Sequence, residues 1–179
     1  MAVFHDVAIA GAVDADVAIA AEPHLEISGD DNLVPLVTTE VASGRLQIDT
    51  RKHVRPSLPL VAHIAAPQVS RIEISGSSHV VLHGLQADRL AIDVSGSGTF
   101  RGDGAVHQLA IEITGSGDLA LDQLAAERAS VKVLGSGNVS IAVSQALEVH
   151  ITGSGTVTYQ GNPSELKQDV TGSGHLVKR

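Results

Sequence analysis

One phrase recurs six times in the second part of the chain, and its spacing constrains the fold more than any other feature. The copies are ISGSSHV at 74–80, VSGSGTF at 94–100, ITGSGDL at 113–119, VLGSGNV at 133–139, ITGSGTV at 151–157 and VTGSGHL at 170–176. Their first glycines are Gly76, Gly96, Gly115, Gly135, Gly153 and Gly172, at steps of 20, 19, 20, 18 and 19 residues. That period is too short for a helical repeat or a propeller blade, and it fits one coil of a β-solenoid. In such a coil, equivalent positions of successive turns stack about 4.8 Å apart.

Each copy follows a run that alternates apolar and polar residues, such as Leu90-Ala91-Ile92-Asp93-Val94 and Leu109-Ala110-Ile111-Glu112-Ile113. Alternation of this kind marks a strand with one buried face. It predicts two inward columns. One is Ile74, Val94, Ile113, Val133, Ile151 and Val170; the other is Ile72, Ile92, Ile111, Val131, Val149 and the discordant Gln168. Hydrophobic residues make up 43% of the chain but aromatics only 2%, so the core must be built from Val, Ile, Leu and Ala. That composition suits thin stacked coils.

The six glycines read as structural corners, with Ser77, Ser97, Ser116, Ser136, Ser154 and Ser173 expected to hydrogen-bond along the stack or to local backbone. A phosphate-cradling loop does not fit, because neither a Walker lysine nor a helix start follows the glycines. The expected fold class is all-β: a single-stranded parallel β-helix (β-solenoid) with about 19–20 residues per regular coil, taken as right-handed on the family resemblance described below. The strict left-handed hexapeptide helix is the runner-up, favoured by apolar pairs six apart such as Val94 and Phe100.

Residues 1–179 read as one domain, with an irregular N-terminal half at 1–68 and regular coils at 69–177. In the first half, strands are expected at 7–9, 17–19, 25–27, 37–41, 46–48 and 60–64. The stretch 27–33 looks like a worn copy of the repeat. The polar, proline-punctuated segment 49–59 reads as a loop. Part of residues 1–30 should cap one end of the stack; Glu165, Lys167, Lys178 and Arg179 should blunt the other. The exposed run Val80-Val81-Leu82 is a candidate self-association surface.

Net charge is −8, which argues against nucleic acid as a partner. Cysteine is absent, so no thiolate metal site exists, and no run is long enough for a transmembrane helix. No cofactor is implied. The acids Glu73, Asp93 and Glu112 occupy one outward column in successive coils, followed by Lys132, His150 and Asp169. Acids one coil apart are close enough to share a cation or to shift a pKa. Beside them runs a second outward column: Ser75, Ser95, Thr114, Leu134, Thr152 and Thr171. Glu73, Asp93, Glu112, Ser95 and Thr114 are thus the candidate binding residues. The nine histidines give no ligand set, since His79 and His83 lack a third partner and His175 lies five coils from His79.

The six phrases, together with Leu25 to Leu33, Gly44 to Ile48 and His63 to Pro67, resemble the putative auto-transporter adhesin, head GIN domain family. The resemblance spans nearly the whole chain. It implies a bacterial cell-envelope protein, exported behind a signal or lipoprotein segment, with a right-handed β-helix-like fold and no catalytic motif. The N-terminal Met-Ala-Val-Phe-His-Asp lacks the charged start and apolar stretch of a signal peptide. The expected location is the periplasm or cell surface after removal of such a segment, with the cytoplasm left open. The leading functional expectation is a non-enzymatic surface module that binds an envelope polysaccharide or protein, or packs with its own copies as a homo-oligomer. A polysaccharide lyase or hydrolase using the acid column, and a purely structural spacer, are the alternatives. A concave cleft with buried acids would favour the enzyme; a flat regular face would favour binding.

Overall fold

Branched apolar residues at alternate positions hold a backbone extended and give each strand one face to bury. The computed structural model describes residues 2–50 and 59–179, and in it this alternation builds strands throughout. In chain order they are β1 (Asp6–Gly11), β2 (Val13–Ile19), β3 (His24–Ser28), β4 (Val37–Ala42), β5 (Arg45–Thr50), β6 (Leu60–Ala66) and β7 (Arg71–Gly76). The long strands β8 (His79–Gly96), β9 (Thr99–Gly115), β10 (Asp118–Gly135) and β11 (Asn138–Gly153) each wrap most of a coil. The stack ends with β12 (Thr156–Gln160), β13 (Glu165–Gly172) and β14 (His175–Lys178). The loop expected at 49–59 lies mostly outside the described residues.

The coils stack in parallel in the register set by the repeat. Ile74 lies beside Val94, and Ile113, Val133, Ile151 and Val170 follow in order. All are buried except Val170, which sits in the last coil with the exposed Gln168. After the corner a second ladder turns Val80, Leu82, Phe100, Leu119, Leu121, Val139, Ile141, Val157 and Tyr159 inward. This corrects the expectation of an exposed apolar run at 80–82: Val80 and Leu82 are core residues, and only Val81, pointing the other way, is half-buried. A third ladder closes each coil with Leu85, Val106, Leu124, Ala126 and Val143 inside. Pairing slips between Leu82 and Leu85 and between Leu121 and Ala125, so the coil is not an uninterrupted six-residue repeat. The result is a β-solenoid.

Close stacking explains the corners. A Cβ at Gly155 would stand 2.6 Å from the Gly137 carbonyl oxygen and 2.7 Å from Val133 Cγ1. In five of the six copies the serine after the first glycine donates its backbone N–H to the first glycine of the coil beneath. Ser97 N–H donates to the Gly76 carbonyl at 2.9 Å and Ser116 N–H to Gly96 at 2.8 Å. In the first copy Ser78 replaces the second glycine, is fully buried, and donates its hydroxyl to the Gly11 carbonyl at 3.3 Å.

The N-terminal strands enter the stack out of chain order. β1 pairs in parallel with both β5 and β7, so that Val7 lies between Leu46 and Ile72. β2 lies likewise between β6 and β8, with Val17 flanked by Ile64 and Leu82. The first coil of the chain is thereby inserted between the coil formed by β5 and β6 and the one formed by β7 and β8. The degenerate copy of the repeat is therefore Val7-Ala8-Ile9-Ala10-Gly11, whose Gly11 pairs with Gly76. The stretch 27–33 is not one: β3 runs antiparallel to β6 and breaks off at Gly29. β4 runs antiparallel to β5. The half-buried Leu25, Ile27, Leu33, Val34, Val37 and Val41 pack on the core from these segments and close that end of the stack.

Candidate binding face

The face that carries the repeat's first strand brings the candidate residues together. Glu73, Asp93, Glu112, Lys132, His150 and Asp169 stack in one outward column, coil upon coil. Ser75, Ser95 and Thr114 form the parallel column two residues along. Below them the inserted coil contributes Ala8, paired with Glu73, and Ala10, paired with Ser75. These short side chains leave a shallow depression of about 380 Å³, lined by Glu73, Ser75, Asp93, Ser95, Glu112 and Thr114, with Arg45 and Gln47 on its far side.

The acids there are matched by cations. Arg45 donates to both Glu73 carboxylate oxygens, at 2.9 and 2.5 Å. It reaches over the inserted coil because Ala8 offers only a methyl group. Arg71 Nε lies 2.8 Å from Asp93 and 3.4 Å from Glu73. The hydrogen bond to Asp93 and the Asp93 charge together raise the pKa of the Arg71 guanidinium above its ordinary value. Lys132 Nζ is 2.9 Å from Glu112. His150 stands 3.2 Å from Glu148 and 3.7 Å from Asp169. The column is a ladder of half-exposed ion pairs, each worth little in isolation but together fixing the side chains of the face.

Arg45 and Arg71 were missing from the sequence reading. Arg71 could have been found, because it precedes Glu73 by two residues on the same outward face. Arg45 could not, since nothing in the repeat fixes where β5 stacks, and Arg45 reaches Glu73 across the inserted coil.

The other singled-out residues are spread over the other faces. His79 bonds Thr99 at 2.6 Å, and His83 sits between Asp16 and Asp103 at 3.4 and 3.2 Å. Among the described residues, no group of three His, Asp or Glu side chains is placed to hold a metal ion. No described helix is long and apolar enough to cross a membrane.

The architecture defines a class: a β-solenoid module with an open, ion-paired polar face. The chain belongs to the putative auto-transporter adhesin, head GIN domain family, whose model matches residues 3–163. Solved structures share the fold. A putative adhesin from Bacteroides fragilis superposes with a TM-score of 0.75 at 18% identity, over 99% of this chain and 93% of that one. A putative adhesin from Parabacteroides distasonis gives 0.64 at 20% identity, over 100% and 94%. A putative lipid binding protein, also from Parabacteroides distasonis, gives 0.59 at 20% identity, over 100% and 94%. Comparison with curated proteins found no match.

Proposed function

We propose that the protein is a non-enzymatic, adhesin-like module of the bacterial cell envelope, displayed in the periplasm or at the cell surface. It binds an extended surface polymer through the depression formed by Glu73, Asp93, Glu112, Ser95 and Thr114. The observation that carries this reading is the pairing of each of the three acids with a cation. A glycosidase needs two carboxyl groups divided between acid and base or nucleophile roles. Here Glu73, Asp93 and Glu112 are engaged by Arg45, Arg71 and Lys132, and none is buried. The same side chains supply donors and acceptors repeated at the coil spacing of about 4.8 Å, the kind of lattice that fits a polymer of regular repeat. The family and the fold neighbours named adhesins support the reading.

The test is a retention screen of the purified chain against envelope and host polysaccharides and surface proteins, with mass spectrometry of each mixture. Retention without new products supports the module. Cleavage would overturn it in favour of a polysaccharide-active enzyme, and retention of nothing would leave a structural spacer.

A further inference from the structure

The two ends of the stack are unlike. β3 and β4 close one. At the other, β13 pairs only with β11, and β14 only with β12. Leu166, Val170 and Val177 are 46%, 37% and 44% exposed there. Ser173 N–H donates at 2.9 Å to Gly153 in the coil beneath. Strand alternation then turns the N–H and C=O groups of Leu166, Gln168 and Val170 to the open side. An unpaired edge of this kind is a template for another strand.

We propose that this edge is a homodimer interface, in which β13 pairs antiparallel with β13 of a second copy about a twofold axis at Gln168. In that register Lys167 faces Asp169 of the second copy, and Asp169 faces its Lys167. Leu166 faces Val170, and Val170 faces Leu166. Opposite charges and apolar pairs directly across an antiparallel ladder are stabilising, and like charges there are not. The neighbouring registers fail this rule. Centred on Lys167, that lysine would meet itself and Glu165 would meet Asp169. Centred on Asp169, that aspartate would meet itself. Centred on Leu166, Glu165 would meet Lys167, but Val170 would fall opposite Asn162, beyond the strand. The register at Gln168 is the one that pairs Lys167 with Asp169 and both exposed apolar residues with each other, as a self-complementary isologous contact requires. This points to a second copy and not an unrelated peptide.

The register also accounts for Gln168, the polar residue over Val149 in an otherwise branched apolar column. At the axis its amide meets an identical amide, each able to donate and accept. Lys167 forms no ion pair within the described chain, and Asp169 has only His150 at 3.7 Å.

Sedimentation velocity on the 179-residue chain and its charge-reversal variants tests this. The wild-type chain should be a dimer at high micromolar concentration. K167D and D169K should each raise the dissociation constant roughly tenfold, since two symmetry-related pairs turn repulsive. The double variant K167D/D169K should regain dimerisation, and an equimolar mixture of the two single variants should form a heterodimer. Both positions exchanged are exposed, and circular dichroism will report that each variant is folded. A monomeric wild-type chain, single variants that associate as well as wild type, or a double variant as weak as the singles would each overturn the proposal.

Discussion

Glycine at a stacked corner carries two separable burdens, backbone conformation and space. Gly115 has φ of +124°, and a side chain there would meet the Gly96 carbonyl of the coil below. Gly84 has φ of +66° with nothing within 4 Å. Gly115→Ala should therefore cost about 2–3 kcal/mol, and Gly84→Ala only about 1 kcal/mol. Urea denaturation of the two variants checks the difference; equal costs would mean that stacking contributes nothing at the corner. The ion pairs of the acid column are half-exposed, so Arg45→Ala should cost less than about 1 kcal/mol. Its larger effect should fall on ligand retention, because Glu73 loses the group that orients it. Calcium at millimolar concentration should leave the melting temperature unchanged, since Arg45, Arg71 and Lys132 already satisfy the acid column; a clear rise would show the acids recruiting a cation.

Between elements, what was legible in the sequence was whatever repeats at the coil period. The columns from Ile74 to Val170 and from Glu73 to Asp169 follow from equal spacing alone, because each coil lies on the one just before it. The insertion of β1 and β2 between coils that follow them in sequence left no such signal. Val7 pairs with Leu46 and Ile72, and no fixed interval relates the three. The pattern Val7-Ala8-Ile9-Ala10-Gly11 carries the alternation and the glycine but lacks the second Gly-containing corner step, which hid its kinship to the repeat. Missing that coil also hid the alanine floor of the depression. Burial depth along the stack gives an energetic test. Ile113→Ala, in a central coil, should cost about 3–4 kcal/mol through transfer and cavity terms. Val177→Ala, in the exposed last coil, should cost under about 1 kcal/mol.

At the scale of the whole molecule, stability in a solenoid is close to a sum of coil and neighbour terms. Removal of the last coil, residues 165–179, should leave the remaining chain folded, with β11 and β12 as the new edge. Removal of residues 1–22 should unfold far more, because it deletes a layer from within the stack and separates β5 and β6 from β7 and β8. Circular dichroism of the two truncations distinguishes an inserted coil from a terminal one. The same insertion makes the depression proposed to bind, since Ala8 and Ala10 belong to it while the ion-paired acids and hydroxyls belong to the coils above. The most direct measurement is the affinity of a retained surface polymer for Ser95→Trp and Thr114→Trp, with Gln86→Trp on the third face as the control. Filling the depression should weaken binding at least roughly tenfold, the loss of about 1.4 kcal/mol of contact, and the control should bind as wild type does. Undiminished binding by both filled variants would contradict the assignment of this face.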